Sequence, residues 1–563
     1  MKFVIYQVLP RLFGNYVTAN KHNGSMEENG CGKFNSFTDK ALREIRDFGA
    51  THIYFIGVLE HATRTDYTRF GIKKDHDALV KGNAGAPFAV KDYYDVDPDL
   101  AESVPDRMAE FQALVERTHR AGLKVIIDFV PNHVAREYFS DAKPAGVDDL
   151  GAKDNPAWFF SPLNNFYYVP NEAFQPDFDI DGYCEFPAKA TGNDRFTAHP
   201  TRNDWYETVK LNYGVNYVEG CQEQFYPVPD TWFKMRDILL FWAEKNVDGF
   251  RCDMAEMVPV AFWNFAISSV KERYPHIMFI AEAYNPAEYR NLICNGKFDY
   301  LYDKVGLYDT LRNVMSRSHP ARNITQAWQA LDGIEDNMLN FLENHDEQRI
   351  GSGFFCGSGI YAQPAMIVAA TLTRAPFMLY FGQETGELGM NSEGFSGVDG
   401  RTSIFDYCSI SSFQNWTNNG KFDGAKMTDE QRDLRNFYKK LNKIALEEKA
   451  IAEGQMYDLE YANFDNPKFN THGQFAYMRK FKDEIIFVAL NFHDTALQTE
   501  VRIPHEAFMY FGMPEGDRYI CRDLLDDNVQ DTEITLTSER PFCTTTGAWQ
   551  GKILKLEKTG ASG

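Results

Sequence analysis

Three carboxylates stand where apolar stretches of the chain stop. Asp253 ends the stretch GFRCD, Glu282 lies in FIAEAY and Asp346 lies in FLENHD. Cleavage of an acetal needs such a set, because one carboxylate must be ionised to attack the anomeric carbon while another keeps a proton for the leaving oxygen. Arg251 stands two residues before Asp253, on the same face of a strand, and could hold that aspartate ionised by charge pairing. Taken alone the pair would be an ordinary structural ion pair; the other two carboxylates favour chemistry.

Short apolar runs alternate with helix-like stretches, such as residues 107–121 and 231–245, up to about residue 447. The apolar runs are VIYQVLP, THIYFIGVL, LKVIIDFV, DGFRCD, HIMFIAEA, FDYLY, MLNFLENHD and APFMLYFG. Eight strands that are apolar on both faces and alternate with helices predict an α/β fold, a (β/α)8 TIM barrel. The active site of such a barrel lies at the carboxyl ends of its strands, where these carboxylates stand.

Two regions depart from this alternation. Residues 134–230 follow the third predicted strand and are rich in Asn, Asp, Pro and aromatic residues, which predicts an irregular inserted domain beside the cleft. Residues 448–563 alternate apolar and polar positions, as in FAYMRKFKDEIIFVALNF, which predicts an antiparallel β-sandwich. The predicted catalytic barrel therefore comprises residues 1–133 and 231–447.

The charge of the chain limits its partners. A formal net charge of −22 argues against nucleic acid and against an anionic membrane surface, and no apolar run approaches the ~20 residues of a membrane span. Nine cysteines without CxxC spacing favour reduced thiols in a reducing compartment. The N-terminal MKFVIYQVLPRLFG is interpreted as the first strand rather than a signal peptide, so the cytoplasm is expected, with a trimmed secretory leader as the alternative. The oligomeric state is left open.

Four motifs make the interpretation more specific. DFVPNH, GFRCD, AEAY and ENHD occur in this order and resemble the four signature regions of the α-amylase family of glycoside hydrolases, family 13. YQVLPRLFG, PFAVKDYYDVDP and MLYFGQETGE resemble flanking segments, so the resemblance covers essentially the whole chain. It implies that Asp253 is the nucleophile, Glu282 the general acid/base, and Asp346 the carboxylate that grips and distorts the sugar.

The same resemblance implies residues that hold the substrate or the nucleophile. Phe88 stands where a tyrosine is commoner, but a phenyl face can still pack on a pyranose. The substrate-binding residues implied are Arg251, His133, His345, Phe88, Asp92 and Arg401, the last together with Asp399. Asp92 could equally be structural.

The chain also departs from the family pattern. Glu256 and Met257 stand three and four positions after Asp253, where the family commonly has lysine and histidine. That lysine often holds a + side sugar, so recognition on the + side is expected to differ. The backbone of that histidine often helps to bind a structural calcium. Asn132 matches a family calcium ligand, but the missing histidine puts calcium in doubt, and no cofactor is expected for the chemistry itself.

The resemblance implies a retaining α-amylase that hydrolyses α-1,4 bonds in starch, glycogen or maltooligosaccharides. The alternatives within the family are a 4-α-glucanotransferase, a maltosyltransferase or a trehalose-forming enzyme, since the chemistry is shared until water or a sugar resolves the intermediate. Outside that class, the alternatives are an inactive binding subunit and a barrel enzyme whose carboxylates ligate Mg²⁺.

Overall fold

A closed barrel of eight parallel strands forms the centre of the computed structural model, which describes residues 2–559. The barrel strands are β1 Val4–Val8, β2 His52–Phe55, β3 Lys124–Phe129, β4 Gly249–Cys252, β5 Met278–Ala281, β6 Tyr300–Tyr302, β7 Met338–Phe341 and β8 Phe377–Tyr380. Each strand pairs with the next along the chain, and β1 closes the ring by pairing with both β2 and β8. Every one of the eight predicted runs forms a barrel strand, so the predicted barrel is confirmed.

Helices cover the outside of the barrel. The barrel strands are therefore buried on both faces, as in β4 and β8, where all four residues are buried. The two helices expected at residues 107–121 and 231–245 are observed at Arg107–Arg120 and Asp230–Ala243. The other principal helices are Asp39–Asp47, Val260–Arg273, Tyr289–Cys294, Asp309–Met315, Asn323–Gln329, Gln363–Thr371 and Asp429–Glu447. Among residues 2–559, none of the helices is both long and apolar enough to cross a membrane.

Two loops at the carboxyl ends of the strands are long enough to contain strands of their own. The loop after β2 holds an antiparallel pair, Leu59–His61 with Val90–Val96. The segment after β3 holds three short pairs: His133–Ala135 with Thr208–Lys210, Tyr168–Val169 with Ala188–Lys189, and Val215–Asn216 with Gln222–Glu223. This second segment is as irregular as its composition indicates, but aromatic residues such as Phe166 pack into the same core as the barrel. Its separation as a domain stays a prediction.

The C-terminal region is antiparallel, as its alternating sequence predicts. Its strands are β9 Gln455–Asp458, β10 Gln474–Phe481, β11 Glu484–Asn491, β12 Leu497–Val501, β13 Arg518–Asp523, β14 Thr532–Thr535, β15 Phe542–Thr546 and β16 Gln550–Lys558. Six of them form one sheet in the order β9-β10-β11-β16-β13-β14, and β12 pairs with β15. Along β10, Phe475 and Tyr477 pack into the barrel core while Ala476 and Met478 pack into a second core shared with β12 and β15. The sheet is thus buried on both faces.

Arg479 joins this sheet to the barrel. It is 1% exposed and lies on the same face of β10 as Tyr477. Its guanidinium donates to the carbonyls of Ala450 (3.0 Å), Ile451 (2.7 Å) and Gly454 (2.9 Å), and also to that of Leu372 (2.6 Å), just after the helix Gln363–Thr371. Burial lowers the pKa of Arg479 to about 10, so the side chain stays charged at neutral pH.

We expect Arg479→Met to lower the free energy of unfolding by at least about 3 kcal/mol, because several buried carbonyl oxygens lose their donor at once. Urea unfolding followed by tryptophan fluorescence measures the change. Arg502→Met is the matched control, since Arg502 is 45% exposed and pairs with the exposed Asp465; its effect should stay below about 0.5 kcal/mol. Equal effects of the two substitutions would show that Arg479 does not fasten the sheet.

Candidate active site

Asp253 and Glu282 stand side by side at the carboxyl ends of β4 and β5. The backbone N–H of Asp253 donates to the carbonyl of Phe129 at the end of β3 (2.9 Å), and that of Glu282 donates to the carbonyl of Cys252 at the end of β4 (3.0 Å). Both residues continue the hydrogen bonding of the barrel one residue past the strand. The barrel therefore fixes the backbone from which both side chains extend.

The guanidinium of Arg251 lies between the two carboxylates and is completely buried. Its Nη1 donates to Oδ1 of Asp253 (2.6 Å) and its Nη2 lies 2.8 Å from Oε1 of Glu282. A third carboxylate, Asp128, lies 3.6 Å from Nη1. Phe88 and Tyr302 cover the guanidinium, with ring centroids 5.3 and 5.5 Å from its carbon. A single cation thus faces three buried carboxylates.

This excess of negative charge decides how the carboxylates titrate. Burial raises the pKa of Asp253 well above its usual range, the neighbouring Glu282 raises it further, and Arg251 opposes both. Burial also raises the pKa of Asp128. Burial and the neighbouring negative charge thus favour a proton on Asp253, and the contact with Arg251 favours its ionised form. Acetal cleavage requires one ionised and one protonated carboxyl group in such a pair.

Glu282 is oriented by two hydrogen bonds. The hydroxyl of Tyr284 donates to its Oε1 (2.6 Å) and the backbone N–H of Met254 donates to its Oε2 (2.7 Å). Met254 has a φ of 44°, a conformation that is uncommon outside glycine and that marks functional sites. Oε2 of Glu256 accepts from the N–H groups of Tyr284 and Asn285, both at 2.8 Å, and so anchors the loop that follows Glu282.

His345 and Asp346 follow β7 on the opposite side of the site. Nε2 of His345 lies 3.0 Å from Oδ2 of Asp346, and Nδ1 of the same ring lies 3.1 Å from the amide nitrogen of Gln7. The ring of Phe88 stacks on His345 at 4.9 Å. Partial burial acts to raise the pKa of Asp346, but His345, Arg251 and Arg401 outweigh it and hold that pKa below the ordinary value.

These side chains line one cavity of about 380 Å³. Its other walls include His133 and Trp205, whose rings lie 5.2 Å apart. Burial, followed by the charges of Lys210 and Lys81, lowers the pKa of His133 to about 3, so this ring is neutral at neutral pH. The cavity combines carboxylates, aromatic faces and neutral hydrogen-bonding groups, which is the lining that suits a neutral polyol such as a sugar.

Comparison with known proteins decides the family. The α-amylase catalytic-domain family matches residues 7–454 of the chain. The chain belongs to the α-amylase family. The resemblance that the four motifs carry is therefore confirmed.

Relatives within the α-amylase family differ in the reactions that their names describe. An α-amylase 3 of Dictyoglomus thermophilum is 25% identical over 433 residues, which are 72% of this chain and 74% of that protein. An α-1,4-glucan:maltose-1-phosphate maltosyltransferase of Cereibacter sphaeroides is 24% identical over 287 residues, 50% of this chain but only 36% of that protein. A noncanonic maltogenic α-amylase of Thermotoga neapolitana matches in fold with a TM-score of 0.61 and 18% identity, covering 99% of this chain and 98% of that one. The chain is thus an α-amylase family glycosidase or transferase.

Most of the residues that the α-amylase resemblance implies converge on this cavity: Asp253, Glu282, Asp346, His133, His345 and Phe88 line it, and Arg251 lies beneath it. Arg401 stands at the edge, where its Nε donates to the carbonyl of Asp346 (2.6 Å) and its Nη1 to Asp399 (3.0 Å).

Asp92 is the exception. Its carboxylate accepts from the hydroxyl of Ser140 (2.6 Å) and from the backbone N–H groups of Tyr94 (2.7 Å) and Ala142 (3.1 Å), close to Glu60 and Asp141. It is completely buried and is not part of the cavity lining. The sequence left substrate binding and a structural role equally open for Asp92, and its contacts favour the structural role: Asp92 braces the segment after β3, because that segment uses its oxygens.

Asn132 does not fit the role of a calcium ligand. Its Oδ1 accepts from Nζ of Lys210, and its Nδ2 donates to the carbonyl of Gly192 (2.8 Å). A lysine ammonium therefore stands where the family's calcium would contact Asn132, and the two cations would repel each other at this spacing.

Sequence reasoning assigned no role to Tyr284 or Lys210, and it singled out Glu256 only as a departure from the family pattern that bears on the + side. Tyr284 was within reach, because it stands two residues after Glu282 in the motif AEAY. The other two act on partners in different loops, for which the sequence carries no local signal.

We expect Arg251→Lys to lower kcat/KM by at least about 100-fold, because an ammonium cannot bridge two carboxylates on separate nitrogens. Arg251 lowers the pKa of Asp253, so weaker pairing should raise that pKa and move the acidic limb of the pH–rate profile to higher pH. Arg290→Lys, at an arginine that is 54% exposed, is the control. A rate and profile close to those of the wild type would contradict the bridging role.

Proposed function

We propose that the protein is a retaining glycosidase that cleaves α-1,4-glucosidic bonds in maltooligosaccharides, starch or glycogen. The observation that carries the proposal is the pair of carboxylates, Asp253 and Glu282, held by one guanidinium at the strand ends. Asp253 and Glu282 each contact one terminal nitrogen of the Arg251 guanidinium, which keeps the two carboxylates close together. This closeness favours the short carboxylate spacing of retaining enzymes, about 5–5.5 Å, over the wider spacing of inverting enzymes, which leaves room for an attacking water.

In this mechanism Asp253 attacks the anomeric carbon while Glu282 gives its proton to the departing glycosidic oxygen. The C–O bond to the leaving sugar breaks as the bond to Asp253 forms, leaving a covalent glycosyl-enzyme. Glu282, now ionised, takes a proton from water as the water attacks the same carbon and releases Asp253. Tyr284 and the N–H of Met254 keep Glu282 aimed at the bond in both steps.

The other lining groups would bind the sugar whose bond is cleaved. Asp346 stays ionised beside His345 and can accept hydrogen bonds from two sugar hydroxyls. Phe88 offers a ring face for the pyranose. The ring of His133 is neutral at neutral pH, so one of its nitrogens can donate a hydrogen bond to the sugar and the other can accept one.

The substrate class rests on the relatives. The named α-amylase is matched over 74% of its length, which supports an α-glucan substrate for this chain. The maltosyltransferase is matched over 50% of this chain but over only 36% of its own length. Transfer to a sugar in place of water is therefore the second candidate, and it requires no change in Asp253 or Glu282.

Maltoheptaose separates the two outcomes. Hydrolysis should give only products shorter than seven glucose units, whose pattern over time shows endo or exo action. Products should be resolved by length at several substrate concentrations, because transfer grows with the concentration of acceptor. Oligomers longer than seven from the earliest time points would assign the enzyme to transfer, and no turnover of any maltooligosaccharide would contradict the proposal as a whole.

Asp253→Ala should lower turnover by at least about 10⁴-fold, because the covalent intermediate cannot form. Asp248→Asn is the matched control: Asp248 stands just before the other end of β4 and accepts from His119 and from the N–H of Val125, both at 2.8 Å. That variant should lose stability but keep kcat. Substantial residual activity of Asp253→Ala would overturn the assignment of the nucleophile.

Azide distinguishes the two carboxylates. With an aryl α-maltoside, azide should rescue Asp253→Ala by attacking from the empty nucleophile side, which expels the phenolate and gives the β-maltosyl azide. In Glu282→Ala, azide should instead resolve the covalent intermediate and give the α-anomer. The same anomer from both variants would contradict the assigned roles.

A further inference from the structure

Lys210 is a buried lysine at the junction of three loops. It ends the short strand Thr208–Lys210, which pairs with His133–Ala135 beside the candidate active site. Its side chain is 1% exposed. The ring of Tyr217 lies 5.4 Å from its ammonium. A charge so deeply buried must have its three N–H donors satisfied, since each unpaired donor would cost free energy.

Three oxygens surround this ammonium. It donates to Oδ1 of Asn132 and to the carbonyl of Met257 (3.4 Å), and it lies 2.7 Å from Oδ1 of Asp194. Three donors thus meet an amide oxygen, a carbonyl oxygen and a carboxylate oxygen. This mixture of hard oxygen ligands is the one that calcium selects in proteins.

The three oxygens come from segments that no regular secondary structure joins. Asn132 follows β3 and immediately precedes His133. Asp194 lies in the irregular segment of residues 134–230. Met257 follows the loop of Met254 and Glu256, which contacts Glu282 and the residues after it. The cation therefore fastens the two sides of the cavity to each other.

We propose that the ammonium of Lys210 is a built-in cation that does the structural work of a bound calcium, so that the active site of this chain assembles without a metal ion. The charges at the site favour this assignment. Asp194 supplies the one neighbouring carboxylate, and it pairs with the single positive charge of the ammonium. Met257 contributes only its carbonyl oxygen, so the position tolerates the loss of the histidine that the family commonly has.

The role of Lys210 can be tested by removing its ammonium and offering a calcium ion to the same three oxygens. Lys210→Ala removes the ammonium and leaves a cavity lined by the three oxygens. Lys210→Met also removes the charge but fills the space with an apolar chain. Lys189→Ala is the control, because Lys189 lies in the same segment, is 21% exposed and donates to the carbonyl of Arg136 (3.2 Å).

Each protein is examined with EDTA and with calcium chloride. The readouts are the melting temperature, the heat of calcium binding and the rate on maltoheptaose. The wild type and Lys189→Ala should be indifferent to EDTA and calcium. Lys210→Ala should melt at least about 5 °C lower than Lys189→Ala and lose at least about tenfold in rate, because the loops beside His133 and Glu282 separate. Calcium should restore much of both losses and bind measurably, whereas Lys210→Met should be equally impaired and should not respond.

Three results would overturn the proposal: a wild-type melting temperature that falls in EDTA and returns with calcium, a Lys210→Ala variant as stable as the control, or a Lys210→Ala variant that is impaired but binds no calcium. If Lys210→Ala does not fold, the wild-type titration still decides the first of these. Asp194→Asn then replaces it, since Asp194 is 33% exposed; that variant should melt below the control, and an unchanged melting temperature would contradict the role of the ion pair.

Discussion

The completely buried guanidinium of Arg251 balances three carboxylates. Burying one uncompensated charge costs several kcal/mol, so the excess of carboxylates around one cation raises the pKa of Asp253. The contact with Arg251 opposes that rise and favours the ionised form. This arrangement holds Asp253 and Glu282 together and offsets part of their charge. The barrel permits it, because hydrogen bonds at the ends of β3 and β4 fix where both side chains begin.

The walls of the site depend on a different kind of support. Long loops carry Phe88, His133, Trp205 and Tyr284. Small apolar clusters, such as the one that contains Phe174 and Tyr206, hold parts of these loops, and polar anchors hold others. Charged side chains supply the anchors: Lys210 joins three segments, Glu256 holds the backbone after Glu282, and Asp92 holds the backbone after Ser140. Such anchors are directional, so they select one loop path where apolar packing would tolerate several.

The C-terminal sheet is held to the barrel by packing between whole strands and helices rather than by single loop contacts. Its strand β10 alternates between two cores, and Arg479 satisfies carbonyl oxygens of the chain that leads from the barrel into the sheet. The sheet therefore packs as a continuation of the barrel rather than as a tethered module.

The sequence by itself determined the eight barrel strands, the antiparallel C-terminal region and the carboxylates at the strand ends. These features follow from local periodicity, since strands buried on both faces must be apolar throughout and chemistry-bearing residues stand where such runs stop. Only the tertiary structure decided which polar side chains meet. Lys210 is 78 residues from Asn132 and 47 from Met257 along the chain, and Glu256 is 28 from Tyr284. The sequence left Asp92 open between substrate binding and a structural role, and its contacts with Ser140 and Ala142 favour the structural role. Contacts of this kind are set by the paths of irregular loops, and a loop path leaves no repeating pattern in the residues that follow it.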